Sequence, residues 1–162
     1  MSGHVRAKVA VLGIGNTLAG DDGVGIEIAN WLGEKWGGRE EILLGVLEGD
    51  LFAVTEWLDR AERFIFVDAV AAEQPGKNVI LREYQAGLSA SLHHSDIGAV
   101  MATLRTLKMV DEFPSWEVWG ITICLPQELG VGLSEPVRRA AQLLVADLDQ
   151  YLAELVDCAQ VH

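Results

Sequence analysis

"VLGIGNTLAGDDGVGIEIANWL", residues Val11–Leu32, runs from an apolar strand through glycines and an asparagine to two adjacent carboxylates, and then into an amphipathic helix. Lys8–Leu12 is short, β-branched and almost entirely apolar, as a strand buried on both faces must be. From Gly23 to Trp36 the apolar residues Val24, Ile28, Trp31 and Leu32 recur at helical spacing, and Gly37 and Gly38 end the run. A strand, a glycine-rich loop and a helix in this order form the opening unit of an α/β sheet. The loop between them is a place to hold a ligand.

The same alternation continues downstream. Glu40–Leu47, Arg63–Val70, Asn78–Tyr84 and Ser115–Cys124 read as strands. Leu51–Leu58 reads as a short helix, and Ser95–Leu107 as a longer one with Ile97, Val100, Met101 and Leu104 on one face. Ser134 is placed to cap a long last helix, whose buried stripe is Val137, Ala141, Leu144, Leu148, Tyr151 or Leu152, and Leu155. The expected fold is a three-layer α/β sandwich: a mostly parallel, twisted sheet of about five strands with helices on both faces. With no repeat and no linker, the 162 residues are expected to form one domain, 1–162.

Composition narrows the partners. With 12 Lys and Arg against 24 Asp and Glu, the net charge is −12, which repels nucleic-acid phosphates and anionic membranes. Two cysteines, Cys124 and Cys158, are too few for a disulfide framework or a structural zinc site. The N-terminal stretch lacks the apolar run of an export signal, and no segment approaches the ~18 apolar residues of a membrane span. The expected location is the cytoplasm.

The first loop does not suit a phosphate. Gly13, Gly15 and Gly20 miss the dinucleotide spacing, because Leu18 stands where the third glycine belongs. Asp21 and Asp22 would repel a pyrophosphate at the helix N-terminus. Acids there also cap a helix, worth about 0.5–2 kcal/mol, but one suffices, and a second suffers like-charge repulsion unless a cation compensates. Asp68 closes the apolar strand "FIFVD", at the carboxyl end where α/β sites form, although an acid there can equally be a turn residue. His93 and His94 precede the Ser95–Leu107 helix. Taken together, two carboxylates and an imidazole from three strand-end loops make an O,O,N set suited to zinc or nickel, with positions left for water or substrate. Cys124 sits among apolar neighbours and reads as a buried thiol rather than a nucleophile.

These motifs resemble those of the hydrogenase maturation endopeptidases, and the resemblance spans nearly the whole chain. "GIGNTLAGDDGVG" is similar to that family's N-terminal signature, "FVDAV" to its central strand end, "SLHHSDIGAVMATL" to its histidine segment and "GVGLSEPVRRA" to the opening of its last helix. The resemblance implies an aspartyl-endopeptidase-like hydrolase that removes a C-terminal extension from the nickel-loaded large-subunit precursor of a nickel–iron hydrogenase. It places the metal-contacting and catalytic roles on Asp22, Asp68 and His93, with Gly13, Gly15, Asn16 and Asp21 as the supporting loop. The nickel comes with the substrate, and other divalent ions could substitute. The tandem pair leaves His94 as an alternative to His93. At the second strand's end, "LEGDLF" departs from the family's usual turn and leaves Glu48 or Asp50 for the acidic role. Two competing readings are a metallohydrolase that owns its zinc and a non-enzymatic nickel-binding module.

Overall fold

The computed structural model describes residues 5–83 and 97–160. In chain order the elements are β1 (Val9–Gly15), α1 (Val24–Trp36), β2 (Ile42–Glu48), β3 (Arg63–Ala71), β4 (Asn78–Arg82), α2 (Ile97–Thr106), β5 (Ser115–Ile123) and α3 (Glu135–Gln160). Two 3-10 segments, Gly20–Gly23 and Leu51–Glu56, complete the list among the described residues. The expected helix after β2 is therefore a 3-10 segment, capped by Asp50, whose carboxylate accepts from the Phe52 N–H at 2.9 Å. Tyr84 and Ser95, ends of an expected strand and helix, lie outside the described residues.

Among the described residues five strands form one sheet in the order β2-β1-β3-β5-β4. The first four run parallel, and β4 pairs antiparallel to β5 at the edge. Each shared strand is apolar on both sides because both faces are covered. On one face α1 and α3 pack Val24, Ile28, Leu32, Leu144, Leu148 and Leu152 against Val9, Val11, Ile65 and Val67. On the other, α2 and the Leu51–Glu56 segment pack Met101, Leu104 and Val54 against Ala10, Leu12, Phe64 and Phe66. The buried stripe of α3 runs through Val137, Ala141, Leu144, Leu148, Leu152 and Val156, so Tyr151 and Leu155 lie at its margin, half-buried. This is the three-layer sandwich expected from the alternation.

The order of strands fixes where a ligand can enter. From β1 the chain crosses to β2 on one side, then passes back over β1 to β3 on the other. The switch point thus lies between β1 and β3, and there the loops at the carboxyl ends part. The register shows the opening: β1 and β3 pair from Ala10↔Phe64 to Gly13↔Val67, whereas β1 stays with β2 as far as Gly15↔Glu48. Asp68 is the first residue of β3 beyond its pairing with β1, while β3 stays paired with β5 as far as Ala71↔Ile123.

Candidate active site at the sheet's switch point

Helix α1 approaches the sheet backbone more closely than any side chain would permit. A Cβ on Gly25 would lie 2.1 Å from the Val67 carbonyl oxygen, and one on Gly13 would lie 2.2 Å from the Gly25 carbonyl oxygen. These two glycines let the start of α1 rest on the ends of β1 and β3. The packing lays the segment that holds Asp22, three residues before Gly25, against β3, where Asp68 follows Val67. Both carboxylates are buried: Asp22 is 6% exposed and Asp68 1%. By the two-residue alternation of a strand, Asp68 shares the face of Phe64 and Phe66, which is the side covered by α2. One of its oxygens accepts the Ala69 N–H at 2.8 Å.

The loop that presents Asp22 is held at several points. Asn16 closes it on itself: its side-chain oxygen accepts from the Leu18 N–H at 3.0 Å, and its own N–H donates to the Asp22 carbonyl at 3.2 Å. A Cβ on Gly15 would meet that same Asp22 carbonyl at 2.1 Å, so the loop folds back tightly against the strand it left. Glu48, at the end of β2, accepts from both the N–H and the hydroxyl of Thr17, at 3.0 and 2.8 Å. These bonds, the backbone one first, hold the Glu48 carboxyl below its ordinary range. Of the two acids at this strand end, Glu48 faces the site loop and Asp50 caps the segment that follows.

Asp21 has a different job from its neighbour. Its two carboxylate oxygens accept from the N–H and hydroxyl of Ser134, at 2.7 and 2.8 Å. Its backbone N–H donates to Gln127, whose side-chain amide donates in turn to the Cys124 carbonyl at 2.6 Å. Asp21 therefore caps neither its own 3-10 segment nor α1; it fastens the first loop to the start of α3. Ser134, expected to cap α3, spends its hydroxyl on Asp21. Gln127 carried no signal in the sequence and Ser134 read only as a helix cap, since only the fold brings them across more than 100 residues to Asp21.

Cys124 is half-buried rather than buried, and its thiol lies 3.3 Å from the Glu73 carbonyl. A buried carboxylate without a sequence signal, Glu117, sits near the opposite ends of the strands. It accepts from Arg63, Arg82 and the Trp119 indole at 2.8, 3.2 and 2.8 Å, so its buried charge is paired and hydrogen-bonded. His93 and His94 lie outside the described residues, so of the expected set the structure describes only Asp22 and Asp68. Among the described residues no group of three His, Cys, Asp or Glu side chains gathers as a metal cluster. Two buried carboxylates at the switch point are a donor set that fits a divalent ion.

A five-stranded sheet of order 2-1-3-5-4 with helices on both faces is a fold shared with proteins named as processing proteases. The structure aligns with the hydrogenase maturating endopeptidase HybD from Escherichia coli (TM-score 0.70, 21% identity, 91% of this chain and 93% of that one). It aligns also with the hydrogenase maturation proteases HybD (TM-score 0.68, 24% identity, 89% and 98%) and HycI (TM-score 0.65, 19% identity, 96% and 95%) from Thermococcus kodakarensis. The fold is that of the hydrogenase maturation proteases. In sequence the chain is 35% identical over 126 residues to protein FrxA of Pyrococcus furiosus, covering 75% of this chain and 88% of FrxA, and it belongs to the family of that protein. No family model matches it.

Proposed function

We propose that the protein is an endopeptidase that removes a C-terminal extension from the nickel-loaded large-subunit precursor of a nickel–iron hydrogenase, in the cytoplasm. The observation that carries the reading is the pair of buried carboxylates, Asp22 and Asp68, on either side of the crevice between β1 and β3. The sequence motifs and the names of the aligned structures point the same way.

In this reading the nickel belongs to the substrate. Asp22, Asp68 and His93 supply only part of a coordination sphere, and cysteine ligands of the precursor complete it. The protease then acts on precursors that have received their metal. One buried carboxylate takes a proton from the water that attacks the scissile carbonyl, as a general base within hydrogen-bond reach of it. Asp21 has both oxygens committed to Ser134, so its part is to hold the loop and not to activate water. The Glu48–Thr17 and Asp21–Ser134 bonds keep Asp22 in place before the substrate arrives, which lowers the cost of organising the site during reaction.

The test is incubation with the nickel-loaded precursor, followed by intact mass measurement. Loss of the C-terminal extension is expected, and an unchanged precursor mass with wild-type protein would refute the reading. Metal analysis of the purified protein separates the zinc alternative: stoichiometric zinc that survives dialysis would contradict a nickel-checking protease. His93→Ala is expected to abolish processing while His94→Ala spares it; the reverse pattern assigns the imidazole role to His94.

A further inference from the structure

Beside the candidate site two loops are stitched into a rim. The Gly20 N–H donates to the Gly130 carbonyl and the Gly130 N–H donates to the Leu18 carbonyl, both at 2.8 Å, and Ala19 pairs with Gly130 in a parallel bridge. This small ladder holds large apolar side chains out in solvent: Leu18 is 63% exposed, Leu129 89% and Val131 80%. Exposing three such residues together costs solubility, and a patch of that kind on a soluble protein marks a contact surface. Under the rim, a groove of about 300 Å³ opens between the first loop and α1, lined by Thr17, Gly23, Glu27, Asn30 and Val131. Glu27 makes no ion pair among the described residues.

We infer that this rim and groove are the docking surface for an extended segment of the protein substrate, one carrying an apolar side chain and a lysine or arginine. The proposal rests on the processing-protease reading above. Charge decides the occupant. The groove offers a carboxylate that has no counter-ion among the described residues, on a chain of net charge −12, which favours a cationic segment and opposes a second copy of this chain. Leu18, Leu129 and Val131 take the apolar side chain and Glu27 the basic one. The groove begins at Thr17 and Gly23, the residues that flank the Asp22 loop, so a segment seated there runs toward the crevice.

Binding of the full-length protein to the nickel-loaded precursor, measured by biolayer interferometry, tests this apart from cleavage. The double variant Leu129→Ser/Val131→Ser is expected to raise Kd about tenfold or more, as loss of a central apolar anchor does. Glu27→Gln should raise Kd several-fold and flatten its dependence on salt, because the attraction it removes is screened by ions. Circular dichroism melting of each variant should match the wild type, since the altered side chains contribute little to the core. Kd values within twofold of wild type for both variants, or no measurable binding by the wild type, would overturn the docking surface. A wild-type protein that binds with this sensitivity yet leaves the precursor uncut would keep the docking surface and refute the protease reading.

Discussion

Replacing Asp22 or Asp68 by asparagine keeps the volume of the side chain and removes its charge, so the variant keeps the packing and loses the cation-binding and proton-accepting roles proposed for these acids. Each variant is expected to lose precursor processing by at least about a hundredfold, the lower range for removal of a general base. Melting temperatures close to wild type would locate the defect in chemistry; a protein unfolded at assay temperature would not. Asp21→Ala makes the opposite case. It removes two hydrogen bonds to an ionised group and leaves the Ser134 N–H without its acceptor, a change worth about 1.5–3 kcal/mol. Urea denaturation should register that loss, and processing should fall only as far as the loop is loosened. Unchanged stability of Asp21→Ala would show that Asp21 does not brace the loop.

Helix α1 offers a matched pair of substitutions at the scale of the element. Gly25→Ala drives a methyl into the Val67 carbonyl, lifting the helix from the sheet and carrying Asp22 away from Asp68, so loss of both fold stability and processing is expected. Gly33→Ala lies later in the same helix where an added methyl meets nothing, and should stabilise the protein by about 0.5–1 kcal/mol through helix propensity. The junction of α1 with α3 also gives acid sensitivity a source. Asp149 accepts from Lys35 and from the Trp36 indole, and the Lys35 bond foremost holds its carboxyl below the ordinary value of 3.8. A depressed carboxyl stabilises the fold above its unfolded pKa, and that contribution is lost as pH falls through the lower folded value. Asp149→Asn should therefore melt lower than wild type at neutral pH and lose less on acidification below about pH 4. Parallel melting curves across that range would rule the junction out as an acid-sensitive point.

At the scale of the whole molecule the two apolar cores share one sheet, so neither can be lost while the other survives. Leu148→Ala opens a cavity on the α3 side and Met101→Ala on the α2 side, each at a cost of about 2–5 kcal/mol. Both should shift a single unfolding transition, with tryptophan fluorescence and far-ultraviolet circular dichroism moving together. Divergent midpoints for the two probes would mean that the layers unfold separately. The crevice depends on this unity, because Asp22 enters with α1 and Asp68 with β3. A change in either layer that tilts α1 against the sheet reaches the site through packing.

Local pattern carried much of this architecture in the chain itself. Strands buried on both faces are apolar throughout, helices against a sheet show a stripe, and the strand-to-helix alternation leaves few topologies open. The paired acids after the glycines and Asp68 stood out in the sequence because ligands bind where parallel strands end; the structure buries all three, with Asp68 inside β3, three residues before its last. The division of labour between Asp21 and Asp22 was not legible, because adjacent acids look alike until Ser134 and Gln127 arrive from the far end of the chain. Glu48 and Asp50 were likewise separated only by what reached them, Thr17 for one and the Phe52 N–H for the other. The apolar rim left no sequence signal, since Leu18, Leu129 and Val131 resemble core residues until the folded chain leaves them in water. Periodicity is set by each residue's neighbours in sequence and is written along the chain; the role of a polar or exposed side chain is set by what comes to face it, which only the tertiary structure decided.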